Sequence, residues 1–189
     1  KLKDNHTISV VTGQLMQAED DKNTAAIDLV NISKYAESVR VLNDDSQIRF
    51  EGVQISEVKR VGMLDEFDYQ DYFLKGFKDK NTGLIQHQLY LKLTYTWKQL
   101  KNYSSASFCD KWQGCENEDQ VDLTLISSSA SSCSPSSCNY TEIMELNLSD
   151  NFLRDNMEDG FSISFNSKKS SNIIIIASDY LRGYLKAAN

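Results

Sequence analysis

The chain of 189 residues carries 20 Lys+Arg against 27 Asp+Glu, a net charge of −7 at pH 7. Hydrophobic residues make up 40% and charged residues 25%, the balance of a folded globular chain and not of a disordered one. The acidic surplus argues against binding nucleic acid through its phosphates and against docking on anionic lipid, since both need a basic face.

A single Pro, Pro135, and eight Gly leave little material for extended linkers. One β-rich domain over residues 1–189 is expected. The longest apolar run, Ile173–Ala177, falls far short of the roughly 18 residues of a membrane helix, so no transmembrane segment is expected. The chain opens on Lys1 rather than Met. A removed signal peptide is the expectation, and a lipid anchor upstream of Lys1 would fit it.

In chain order, residues 8–16 read as a weakly alternating strand. Thr24 is placed to cap a helix from Ala25 to about Leu42, with Ala25, Leu29, Ile32, Ala36 and Val39 on one face. The β-branched residues Ile27, Val30 and Ile32 keep open a strand followed by a shorter helix. Residues 47–61 read as one strand in which the apolar phase slips after Gly52, as at a β-bulge. Asp65 to Phe73 is acidic and aromatic and reads as a charged surface turn. From Ile85 to Trp97 the alternation is strict. Ile85, His87, Leu89, Leu91, Leu93, Tyr95 and Trp97 share one face; Gln86, Gln88, Tyr90, Lys92, Thr94, Thr96 and Lys98 share the other. Asn81-Thr82-Gly83 is turn chemistry, so 72–77 should pair with this strand as a hairpin.

Val121, Leu123 and Leu125 form a strand; so do Met144, Leu146 and Leu148. The two should pair across a Ser/Cys loop over 127–138. Ser149 is placed to cap a short helix ending before Gly160. Phe161, Ile163 and Phe165 alternate in a further strand, and 173–176 read as a strand buried on both faces. Ser178 should cap a last helix with an apolar stripe of Tyr180, Leu181, Tyr184, Leu185 and Ala188. The class is α+β, mainly antiparallel β: a β-sandwich-like arrangement with two or three packed helices.

Four cysteines allow three pairings. Local bridges Cys109–Cys115 and Cys133–Cys138 are favoured over a nested set, over free thiols, and over a zinc site, whose knuckles are usually tighter. Disulfides point to an oxidising compartment: periplasmic, outer-membrane-anchored or extracellular. Sequons start at Asn5, Asn31, Asn102, Asn139 and Asn147.

Motifs for phosphate loops, nucleophile elbows and zinc proteases are absent, and only His6 and His87 exist. His87 lies on the apolar face of the clearest strand. It reads as a satisfied buried imidazole; the alternative is a general base or pH sensor partnered by Asp65, Asp68 or Asp71. Trp112, in the small loop between Cys109 and Cys115, would be displayed as an aromatic anchor. Glu116, Glu118 and Asp119, with Asp110, offer oxygens that would suit a ligand or Ca²⁺, although the EF-hand spacing is missing. A solvated acidic loop is the simpler reading. No cofactor is expected.

Residues 88–97 (Gln-Leu-Tyr-Leu-Lys-Leu-Thr-Tyr-Thr-Trp) are followed by Tyr103-Ser104-Ser105-Ala106. Two later cysteines precede Tyr140-Thr141-Glu142, and the chain ends in Ala177-Ser178-Asp179-Tyr180-Leu181-Arg182-Gly183-Tyr184-Leu185. Together, roughly over residues 85–186, these resemble uncharacterised exported proteins and lipoproteins of Gram-negative bacteria. The resemblance implies a cell-envelope location and supplies no catalytic residues.

The functional expectation is a non-catalytic secreted or periplasmic domain that binds a protein or glycan partner of the envelope. Two alternatives are a hydrolase of cell-wall or surface polysaccharide using paired carboxylates, and a structural subunit of an envelope assembly. The last expects a large exposed apolar patch or a long uncovered strand edge.

Overall fold

A computed structural model describes residues 26–61, 66–109, 115, 120–168 and 170–188. The expected strand over 8–16 lies outside them. Helix α1 spans 26–38. The strands that follow are β1 (Arg40–Asn43), β2 (Gln47–Glu51), β3 (Ile55–Val61), β4 (Glu66–Asp79), β5 (Ile85–Trp97), β6 (Ser105–Cys109), β7 (Gln120–Ser131) and β8 (Cys138–Leu148). Helix α2 (Asp150–Asp155), strands β9 (Phe161–Asn166) and β10 (Ser171–Ile176), and helix α3 (Ser178–Ala187) complete the order.

All ten strands belong to one antiparallel sheet, in the order β1-β2-β4-β5-β8-β7-β6-β9-β10, with β3 also on β4. The α+β, mainly antiparallel class therefore holds, but a single curled sheet replaces two stacked ones. β5 is its centre. It pairs with β4 from Tyr69↔Thr94 to Lys78↔Ile85, and with β8 from His87↔Leu148 to Trp97↔Cys138. Its strict alternation aims Leu89, Leu91 and Leu93 at one face, where all three are buried. Tyr72 and Leu74 of β4 and Met144 and Leu146 of β8 lie beside them in the same core cluster. Leu153 of α2, Leu181 and Leu185 of α3, and Ile163, Phe165, Ile174 and Ile176 of β9 and β10 fill it from the other side. Each fully buried Leu or Ile contributes roughly 1.5–3 kcal/mol.

The curl brings the two ends of the sheet together without a backbone ladder. The Ile173 carbonyl accepts from Lys59 Nζ of β3, and the Ile175 carbonyl accepts from Tyr72 Oη of β4 at 3.1 Å. Side chains thus close the seam.

At Gly52 the structure departs from a bulge. The chain leaves the ladder, and β2 and β3 both pair with β4, one beyond the other. Tyr180 of α3 fills the break: its hydroxyl accepts from Leu74 N–H at 3.0 Å and donates to the Val53 carbonyl at 3.1 Å. A Cβ on Gly52 would sit 2.6 Å from that hydroxyl, so the docking needs glycine there.

Several other expectations change. α1 stops at residue 38 and β1 begins at Arg40, because Val41 and Leu42 pair with Phe50 and Arg49 of β2. Its buried side is Ile32 with Tyr35 and Ala36, whereas Leu29 is exposed. The acidic-aromatic segment is strand β4, not a turn, because β3 and β5 flank it on both edges. The serine run Ser127–Ser131 belongs to β7, paired with β8, and the connecting turn is only 132–137. The isoleucine run is buried on one face only: Ile173 and Ile175 are exposed at the seam. The last helix is capped at Ala177 without a side-chain bond, rather than by Ser178. Ser149 does cap α2, accepting from Phe152 N–H at 3.1 Å. Both cysteine pairs are local, Cys109–Cys115 and Cys133–Cys138.

Candidate binding face

The polar face of β5 and the matching face of β4 point away from the core. Register places Tyr69 beside Thr94, Asp71 beside Lys92, Phe73 beside Tyr90, Lys75 beside Gln88, and Phe77 beside Gln86. These side chains are exposed or half-buried, while Tyr72, Leu74, Leu89, Leu91 and Leu93 on the other face are buried. Strand alternation alone produces this division.

Phe73 and Tyr90 lie with ring centroids 4.8 Å apart and planes tilted by 30°. An ion pair stands on either side of them. Lys75 pairs with Glu145 of β8, and Lys92 pairs with Asp71 at 3.6 Å. Each charge on this strip is neutralised locally. Amides and hydroxyls line the same face: Gln88 Nε2 donates to Asn147 Oδ1 at 2.9 Å beside the rings, and Thr96 Oγ1 to Asn139 Oδ1 at 2.7 Å further along β5. Burial, then the Glu145 and Asp71 carboxylates, push the Tyr90 phenol up, so it stays neutral at physiological pH.

The strip runs into a pocket of about 400 Å³ whose walls include Gln47, Phe77, Asp79, Leu84 and Gln86. That volume is within the range of small-ligand sites. Asp79 shapes the rim. Its Oδ1 accepts from Asn81 N–H at 2.9 Å, from Thr82 N–H at 2.7 Å and from the Thr82 hydroxyl at 3.0 Å. Those donors, the Thr82 amide first, hold its carboxyl below the usual range. Flat rings flanked by amides, on a charge-balanced surface, can stack on a ligand ring while hydrogen-bonding its hydroxyls.

Of the residues singled out by sequence, Asp71 lies on this strip, paired with Lys92. Trp112, Glu116, Glu118, Asp119, Asp110 and Asp65 lie outside the described residues. His87 is 1% exposed and sits in no cleft. It does meet a carboxylate, but that of Asp150 at the start of α2, not Asp68 or Asp71: Nε2 lies 3.1 Å from Asp150 Oδ1. Nδ1 lies 2.8 Å from Tyr184 Oη. An ionised Asp150 only accepts, so the neutral ring carries its proton on Nε2, and Nδ1 accepts from Tyr184. Both ring nitrogens are satisfied, as expected of a buried imidazole. Desolvation lowers its pKa; the Asp150 bond opposes this and Arg154 adds to it.

Asp68 and Asp71 lie on opposite faces of β4, since their separation of three is odd. Asp68 is buried against Lys101 Nζ at 3.1 Å. Asp71 accepts from Ser56 Oγ at 2.6 Å on the outer side. Sequence reading also missed a polar cluster inside the core. Buried Glu142 accepts from the Tyr95 hydroxyl and from Tyr103 N–H at 3.2 Å, and Lys101 Nζ lies 4.3 Å from the Tyr95 ring centroid. The outer-face residues Phe73, Phe77 and Tyr90 were not singled out either. Their signal was the polar phase of β5, where Tyr90 is the one aromatic.

Among the described residues no three His, Cys, Asp or Glu side chains converge as metal ligands, and no helix is long and apolar enough to cross a membrane. The fold and face define a disulfide-bridged α+β protein built on one curled sheet with an aromatic-amide outer strip. Comparison with protein families, with curated proteins and with solved structures gives no match.

Proposed function

We propose that this chain is a non-catalytic binding domain of the cell envelope or extracellular space, and that its outer sheet face takes an uncharged glycan. The observation that carries the reading is the Phe73–Tyr90 ring pair, set between two internally neutralised ion pairs and leading to the Phe77–Gln86 pocket. A neutral, hydroxyl-rich chain meets only paired charges beside the rings, finds stacking surfaces and amides in one line, and can donate a hydroxyl to the Asp79 carboxylate at the pocket rim. Two disulfides support an oxidising compartment. Of the residues raised for catalysis, His87 and Asp68 are engaged as internal cross-links.

The test is a panel of immobilised neutral and anionic oligosaccharides, followed by calorimetry on those retained. We expect retention of neutral glycans, weakened roughly tenfold or more by Tyr90→Ala, since one aromatic anchor is worth about 1–3 kcal/mol. Tyr69→Ala, at the exposed end of the strip, should weaken binding less. Absence of any retained neutral glycan, or unchanged affinity in a folded Tyr90→Ala, sinks the reading.

A further inference from the structure

Lys75 with Glu145 and Lys92 with Asp71 are ion pairs of the outer face, within reach of water. A third lysine–carboxylate pair lies on the core side. The side chains of Lys101, in the segment between β5 and β6, and of Asp68 in β4 are only 5% and 11% exposed, and Lys101 Nζ lies 3.1 Å from Asp68 Oδ2. Aromatic rings wall the amine: Nζ is 4.3 Å from the Tyr95 ring centroid and 5.6 Å from that of Trp97. An ammonium carries three donors, and among the described residues Asp68 is the one hydrogen-bond acceptor that Nζ meets.

Both partners are held from behind. The Lys101 N–H donates to Tyr95 Oη at 2.9 Å, the Tyr95 hydroxyl donates to buried Glu142, and Glu142 also accepts from Tyr103 N–H at 3.2 Å. Asp68 is fixed by the β3–β4 ladder. Two buried ions carry a standing desolvation cost that a single neutral amide does not. An amine and a carboxyl group kept in contact on rigid supports, in a site closed to bulk water, need no activating reagent to meet productively, because proximity supplies what a reagent otherwise would.

We propose that Lys101 and Asp68 condense after folding into an internal amide, Nζ to Cγ, which ties β4 covalently to the segment between β5 and β6. The amine nitrogen attacks Cγ. The C–N bond forms and one Cγ–O bond breaks. The departing oxygen leaves as one water with two of the three ammonium protons, and the third stays on the amide nitrogen. The positive and the negative charge are consumed together, and nothing is oxidised or reduced, so no co-reactant is required. The outer pairs do not react in this way, because water reaches their amines and carboxylates and keeps both ions solvated. The amide lies on the core side of the sheet, away from the outer strip, and is independent of the glycan reading.

The experiment is the intact mass of the full chain, denatured and with both disulfides reduced, followed by peptide mapping. The wild-type chain should weigh less than its sequence by one water, and digestion should release a branched peptide that joins the Asp68 and Lys101 segments. Lys101→Arg keeps a cation beside Asp68 but offers no amine that can condense, and Asp68→Ala removes the carboxyl group. Both variants should return to the full sequence mass. A wild-type chain at full sequence mass overturns the proposal and leaves Lys101 and Asp68 as a buried ion pair, whatever the variants do. So does a loss of one water that maps to other residues or persists in Lys101→Arg.

Discussion

Tyr184 Oη lies 2.8 Å from His87 Nδ1, and a Cβ built on Gly76 would fall 2.5 Å from that same oxygen and 3.0 Å from the ring nitrogen. Gly76 faces His87 across the β4–β5 ladder. The missing side chain is therefore what lets α3 press its tyrosine onto the sheet. Asp150 holds the other ring nitrogen, so one imidazole ties β5 to both C-terminal helices.

Gly76→Ala should destabilise the fold by about 1–3 kcal/mol, the usual cost of overpacking. The clash is with one hydroxyl, so Gly76→Ala in a Tyr184→Phe background should cost less than in the wild type. Urea midpoints for the four proteins of this cycle give the coupling. Equal cost in both backgrounds would show that Tyr184 is not what Gly76 accommodates.

Stability should fall as the pH drops below about 6.5. Burial lowers the His87 pKa, so the unfolded chain takes up this proton before the folded one does. The stabilisation is complete above the unfolded value and is lost progressively as pH falls towards the folded value. One proton gives a slope of up to about 1.4 kcal/mol per pH unit. Asp150, lowered chiefly by Arg154 and then by His87, adds a second loss below about 4. Denaturant midpoints from pH 7.5 to 5 should show the first slope, and His87→Gln should flatten it. An identical slope in that variant would assign the effect to other groups.

Tyr180→Phe removes one oxygen that serves two backbone groups, Leu74 N–H and the Val53 carbonyl. The expected loss is about 1–3 kcal/mol, since both groups lie where β2 gives way to β3 and lose their partner together. Hydrogen exchange at the Leu74 amide should quicken beyond what the global loss explains. Exchange at Leu89, in the middle of the β5 ladder, should follow the global change alone. A Leu74 amide protected as before would mean that a water or a shifted strand replaces the hydroxyl.

How much of this was legible varies with the range of the interaction that decides it. Ile85–Trp97 was readable residue by residue, because burial on one face and water on the other impose period two on the sequence itself. The hairpin to β4, the pairing of β7 with β8, the Ser149 cap and the α3 stripe are decided within a few residues or between neighbours in the chain. Short spacing favoured the two local disulfides, and the structure forms them. The Ser127–Ser131 strand was not legible, because serine favours turns and only the β8 ladder holds that segment extended. Nor was the exposure of Ile173 and Ile175, where composition signals burial but the position at the seam leaves one face to solvent. Of the site, sequence placed Tyr90 on the polar side of β5 without singling it out. It could not pair it with Phe73, which lies in a segment whose acids suggested a turn.

By itself, then, the sequence determined the antiparallel β-rich class, the central strand and its two faces, and the acidic balance. Each of these is set by local periodicity, by spacing or by composition. Tertiary structure alone decided which carboxylate meets His87, why Gly52 and Gly76 lack side chains, that the sheet curls until β10 reaches β3, and that the serine run extends β7 along β8. Those outcomes depend on contacts between segments as far apart as Leu74 and Tyr180, and no local pattern encodes a partner more than a hundred residues away.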